Sequence, residues 1–180
     1  YTASFRTLTV QPGGSSLAMR NRQSNTTTYN FQFNDFARTL GGTIDFNNIV
    51  TRSGSRCGLY FTNATLINGI LGGWATIALN DWVVPSNAGT GTAGYAAYTT
   101  NTSPSSWAAV NNVSLNASPS ANLDNTTLNS LKLVGTATVT INSGQALSLT
   151  SGGLLVPNNA AGASSIAGGT LLGAAGADLV

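Results

Sequence analysis

The 180-residue chain holds few groups able to do chemistry: five Asp and no Glu, seven Lys plus Arg, one Cys and no His. Without His there is no His-based catalytic triad and no His metal site. The single cysteine, Cys57, excludes an intrachain disulfide and a multi-cysteine zinc site. The best carboxylate pair is Asp35 with Asp45, with Arg38, Arg52 and Arg56 near in sequence. Paired carboxylates with cations nearby can serve as acid, base or calcium ligands in polysaccharide cleavage. An enzyme cleft normally gathers titratable groups more densely than this. The preferred reading of Asp35 and Asp45 is therefore charges at strand ends and turns. Calcium needs several oxygen ligands. The segment GGTID (41–45) lacks the Gly-Gly-x-Gly-x-Asp spacing of calcium solenoids and occurs once. No cofactor or metal is expected.

Aromatic residues are the other candidates. Trp107, Tyr95 and Tyr98 are candidate ligand contacts, able to stack on sugar rings if exposed in a row. Trp74 and Trp82 read instead as packing or turn anchors. Cys57 follows Arg56 and is read as a small buried hydrophobe rather than an activated thiol. Lys132, the one lysine, has no Glu in the chain to catalyse an isopeptide crosslink. Asn-x-Ser/Thr sequons start at Asn25, Asn63, Asn101, Asn112, Asn116 and Asn125. They mark surface turns only in a glycosylating secretory context, and carry little weight otherwise.

These residues sit in a chain of unusual composition. Charged residues are 7% of it, against about 25% in an ordinary soluble domain, and hydrophobic ones are 42%. Asn, Ser and Thr make up about a third. Thr, Val, Asn and Gly abound while helix-favouring surface residues are scarce, which predicts an all-β protein. Arg20 with Arg22 and Arg52 with Arg56 are the only close cationic pairs, too sparse for a nucleic-acid surface. No apolar run is long enough to span a membrane as a helix.

Period-two alternation gives the strands. FRTLTV (5–10), YNFQF (29–33), GTIDF (42–46) and GLYF (58–61) alternate near the N-terminus, where all six Phe and all six Arg fall. From Leu131, alternating pairs run Leu131/Leu133, Val139/Ile141, Leu147/Leu149 and then Leu154 or Leu155 with Val156. Breaks at Gly135, Ser143-Gly144 and Ser151-Gly152-Gly153 separate them, and the pattern continues more weakly through Ile166, Leu171-Leu172 and Leu179-Val180. Residues 85–127, rich in Asn, Ser, Thr, Ala and Gly, read as a polar loop insertion around one or two short strands such as GYAAYTT (94–100). Many short, evenly spaced strands suit a sandwich, a barrel or a β-solenoid with coils of roughly 20–25 residues. The Gly-Gly pairs at 13–14, 41–42, 72–73, 152–153 and 168–169 favour the solenoid.

Four segments in order, NATLINGILGGWATIALNDWVV (63–84), AGYAAYTT (93–100), NSLKLVGTATVTINSGQALSLTSGGLLV (129–156) and IAGGTLLGAAGADLV (166–180), resemble the autotransporter-associated β-strand repeat proteins. The likeness covers roughly residues 42–180 and is weaker over 1–41. It implies a right-handed parallel β-helix, all of residues 1–180 forming one solenoid segment of a longer bacterial chain. It implies an extracellular or cell-surface passenger with no common catalytic motif. The expected role is a non-enzymatic stalk, fibre or adhesin. Its expected partners are flanking coils, other copies of itself, or cell-surface glycans and proteins. The other function classes are a carbohydrate-active β-helix enzyme and a glycan- or cell-binding module acting through 85–127. Solenoid ends expose unpaired strands, so end-to-end assembly into filaments is a further expectation.

Overall fold

The structure, a computed structural model, describes residues 1–18, 29–47, 57–85, 92–175 and 178–180. Among them the fold is almost wholly β, with parallel sheets coiled as a β-solenoid. The chain divides into two compact units, Tyr1–Leu71 with Ala75–Tyr95, and Gly72–Trp74 with Ala96–Val180.

The first unit is built from β1 (Thr2–Val10), β2 (Gly13–Ala18), β3 (Tyr29–Arg38), β4 (Gly42–Asn47), β5 (Cys57–Phe61), β6 (Ala75–Ile77), β7 (Asp81–Val84) and β8 (Ala93–Gly94). One sheet runs β1-β3-β5 and the other β2-β4-β6-β7-β8. The four alternating segments read from the N-terminal sequence all fall on strands, β1, β3, β4 and β5. Thr2 pairs with Asn30 and Tyr29 with Cys57, a spacing of 28 residues, and on the other sheet Gly13 pairs with Gly42 and Ile44 with Ala75, so the coils are longer than the 20–25 expected. The wider coil carries aromatic filling. Phe5, Phe33 and Phe61 occupy one register position on successive strands, and their rings stack at centroid distances of 5.1 and 5.8 Å. Phe46 and Phe36 meet Phe61 edge-on. After β6 the pairing turns antiparallel through β7 and β8.

The second unit carries β9 (Asn112–Ala117), β10 (Thr126–Thr136), β11 (Thr138–Leu155) and β12 (Ser165–Gly173), all parallel in the order β12-β11-β10-β9. A 3-10 turn (Pro104–Ser106) precedes them. The C-terminal alternation becomes the core: Leu131, Leu133, Val139, Ile141, Leu147, Leu149 and Leu155 are buried, while Val156 is exposed. The breaks at Ser143-Gly144 and Ser151–Gly153 do not end strands. β11 runs through both, and the ladder absorbs them as register shifts. Residues 85–127 supply β8, β9 and the 3-10 turn, and Val113, Leu115 and Leu123 lie fully buried in the second unit's core. Of GYAAYTT, only Gly94 is in a strand, and Thr99 bridges in parallel to Val113.

In every Gly-Gly pair the first glycine has positive φ: Gly13, Gly41, Gly72, Gly152 and Gly168. At the corner after β3, a Cβ on Gly42 would stand 2.7 Å from the Gln11 carbonyl oxygen, so this corner needs both glycines. At Gly168 a Cβ would strike the Ile141 carbonyl oxygen of the coil below.

Candidate functional site

Asp35 and Asp45 lie on different sheets and are each committed locally. Asp45, on β4, is buried, and its Oδ1 accepts from the Thr76 hydroxyl of the next coil at 2.8 Å and from the Leu79 amide at 2.8 Å. Leu79 and its neighbour Ala78 both have φ of 54°, a left-handed conformation costing about 1–2 kcal/mol per residue outside glycine. The carboxylate therefore pins the strained β6–β7 turn, and Ala78 N–H adds a bond to the Phe46 carbonyl. Asp35, on β3, is exposed and accepts from Asn63 Nδ2 at 3.1 Å. Arg38 donates through Nε to the Gly42 carbonyl oxygen, holding the β3–β4 corner. Arg20, Arg22, Arg52, Arg56 and Asn25 lie outside the described residues, as does the side chain of Cys57, which opens β5.

The three candidate contact aromatics are built into loops. Tyr95 lies across Gly69, where an added Cβ would stand 3.0 Å from the ring. Gly69 closes an Asn-Gly hairpin turn bonded between Ile67 and Ile70. Tyr98 lies under Lys132, whose Nζ is 5.0 Å from the ring centroid. Lys132 itself is only 8% exposed, so this amine is a buried cation on an aromatic face rather than a surface charge. Trp107 donates its indole N–H to the Asn101 carbonyl oxygen at 2.7 Å and packs on the second unit's core. Trp82 is fully buried, and Trp74 packs against Gly72.

A buried polar spine was not picked out by the sequence reading. Asn112, on β9, accepts at one oxygen from Asn129 Nδ2 and Ser130 Oγ, both at 2.7 Å. Asn129 Oδ1 accepts from Thr150 on the next coil at 3.1 Å, and the Asn129 carbonyl oxygen accepts from Ser151 at 2.6 Å. Asn129 is 0% exposed. The available signal was a polar pair leading into an apolar run, Asn111-Asn112-Val113, Asn129-Ser130-Leu131 and Thr150-Ser151, at coil spacing.

What stays open are strand edges. Among the described residues six strands have a single strand neighbour: β1 and β5 beside β3, β2 beside β4, β8 beside β7, β9 beside β10 and β12 beside β11. Folded proteins guard such edges with Lys, Pro, bulges or short strands. β1 and β12 are nine residues each and contain no Pro; β1 carries one charge, Arg6, and β12 none. Phe5 on β1 is 43% exposed, with one ring face on Phe31 and Phe33. Leu172 on β12 is 44% exposed, and Leu179 and Val180 beside that edge are also exposed. Val180 pairs with the end of β11: its N–H donates to the Gly152 carbonyl oxygen and its own carbonyl accepts from Leu154 N–H, both at 2.8 Å.

Among known families, curated proteins and solved structures, none matches this chain. Among the described residues no group of three or more His, Cys, Asp or Glu is placed to hold a metal ion, and no helix is long and apolar enough to cross a membrane.

Proposed function

We propose that this chain is a non-enzymatic structural or adhesive protein of the bacterial cell surface or exterior. In this reading it is a β-solenoid segment of a stalk or fibre, of the autotransporter-passenger type, whose work is reach, rigidity and display. The observation that carries the reading is a pair of long, uncharged or nearly uncharged strands at sheet edges, β1 and β12. Each is a row of backbone donors and acceptors in the geometry that receives another parallel strand. Further coils, from a flanking solenoid or from other copies of the chain, satisfy those rows.

Two further observations support the reading. The hydrogen bonds that cross from coil to coil run largely through uncharged side chains: Gln32 to Thr62, Asn122 to Asn142, Ser165 with Thr138, and Asn129 with Asn112 and Thr150. Identical positions repeat at about 4.8 Å along such a stack, where like charges would repel and amides bond. The two candidate catalytic carboxylates accept hydrogen bonds from neighbouring strands or turns rather than converging on one cleft.

Concentration-dependent light scattering with electron microscopy tests the proposal. Elongated assemblies that grow with concentration are expected; a monodisperse monomer at high concentration would sink it. A polysaccharide depolymerisation screen tests the non-enzymatic part. Turnover abolished by Asp45→Asn or Asp35→Asn would replace the structural role with an enzymatic one.

A further inference from the structure

Strand pairing in the first unit changes sense at one hairpin. β4 and β6 run parallel, with Ile44 on Ala75 and Phe46 on Ile77, whereas β6 and β7 run antiparallel, with Thr76 on Trp82 and Ile77 on Asp81. The link between β6 and β7 is Ala78-Leu79-Asn80, and its first two residues are held at φ of 54°. Left-handed residues other than glycine persist only where their surroundings over-determine them. Asp45 supplies one restraint, through Thr76 and the Leu79 amide. Backbone bonds supply two more, from Ala78 N–H to the Phe46 carbonyl oxygen and from Asn80 N–H to the Ile77 carbonyl oxygen.

The same hairpin holds two buried polar atoms that have no hydrogen-bond partner among the described residues, Trp82 Nε1 and Asn80 Oδ1. Trp82 is 1% exposed, so its indole N–H has no bulk solvent to donate to. A buried donor or acceptor left bare loses its hydration and gains nothing in return, and nearly all such groups in folded proteins are partnered. Asn80 immediately precedes β7 and falls two residues before Trp82, the spacing that puts side chains on one face of a strand. Thr76 lies opposite Trp82 and its hydroxyl reaches Asp45, so Trp82, Thr76 and Asp45 share that face. The Leu79 amide bonds to the same carboxylate, which draws the turn against it. The indole nitrogen only donates and the amide oxygen only accepts, so a partner common to both accepts and donates at once. Water does both, and an internal water needs only two to four polar neighbours.

We infer that the β6–β7 hairpin binds one internal water, which accepts from Trp82 Nε1–H and donates to Asn80 Oδ1. The water ties the turn to β7 through a side chain, as Asp45 ties it to β4 through the Leu79 amide. Both restraints fall where the sheet leaves its parallel coil, the one place in this sheet where non-glycine residues hold a left-handed conformation. The site lies wholly within the first unit and does not depend on stacking of coils or copies.

NMR on the full, isotope-labelled chain tests the site. The chain has three Trp, and Trp74→Phe and Trp107→Phe variants assign the indole signals by elimination while leaving Trp82 untouched. The Trp82 indole proton is expected to show cross-peaks to water of opposite sign in NOE and ROE spectra, the mark of a water that stays bound. The Trp107 indole donates to the Asn101 carbonyl oxygen at 2.7 Å and serves as the directly bonded reference. The Trp82 cross-peaks should persist in Thr76→Val, which removes a hydroxyl able to relay the signal, and in Asn80→Asp, which keeps an acceptor oxygen. They should fall several-fold in Asn80→Leu. A water signal no stronger at Trp82 than at Trp107 in the unaltered chain would overturn the inference, as would its loss in Thr76→Val or its full intensity in Asn80→Leu.

Discussion

The two units solve the same stacking problem with different side chains. In the first, the repeated position is aromatic: Phe5, Phe33 and Phe61 stack on one another at a spacing of 28 residues, and the outermost ring stays partly exposed. In the second, the repeated positions are Leu, Val and Ile, closed into a core whose members are nearly all fully buried. A polar spine of Asn112, Asn129, Ser130, Thr150 and Ser151 runs beside it. Phenyl rings fill a wide coil and offer a flat face to the next rung. Aliphatic chains fill coils whose spacing varies, from Asn112↔Ser130 to Thr138↔Ser165, and polar bonds tie their rungs together. The first arrangement leaves a sticky edge, and the second a stiff interior.

The largest effect is expected where the second unit is most closed. Leu131→Ala removes a fully buried side chain and should cost about 2–5 kcal/mol, read as a lowered midpoint in urea unfolding. If the loss is under about 1 kcal/mol, the second unit is no tighter than the first. Asn112→Ala comes next. It takes the shared acceptor from Asn129 Nδ2 and Ser130 Oγ, at about 1–3 kcal/mol for each buried group left short of it. Amide exchange should accelerate along β9 and β10, and rescue by Asn112→Asp but not by Asn112→Leu would show that an oxygen acceptor is what the spine needs.

In the first unit, Asp45→Ala should cost roughly 2 kcal/mol, from two hydrogen bonds worth about 1 kcal/mol each, and should free the β6–β7 turn. Asp45→Asn keeps an acceptor oxygen and should cost less; thermal melts of the two variants compare them. The smallest stability effect belongs to Phe5→Ala, about 1 kcal/mol for its ring stacking. The same change should nonetheless abolish concentration-dependent light scattering. A stability loss at Phe5 as large as that at Leu131 would erase the distinction between edge and interior.

Much of this fold was legible in the residues. Alternation located β1, β3, β4 and β5 and the apolar face of β10 and β11, because one-sided burial imposes period two on any sheet. The Gly-Gly pairs marked left-handed positions, because only glycine adopts them freely. Coil length was misjudged in the first unit, since loops between strands carry no periodicity to count. The strand breaks in β11 were misread, since a bulge and a strand end use the same Ser-Gly vocabulary. As for the candidate site residues, Asp35 and Asp45 were the best carboxylate pair available but were read first as charges at strand ends and turns, and the coil sets them on different sheets.

By itself the sequence determined the class of the fold: a β-rich chain with few charges to repel along a stack. Those are properties of composition and short-range pattern, and they do not depend on which strand meets which. Only the tertiary structure decided that Asp45 holds a turn and that Asn129 is an interior rung. Each depends on residues about 20–30 positions apart being brought side by side, and register between coils is set by packing across the whole stack rather than by any local signal.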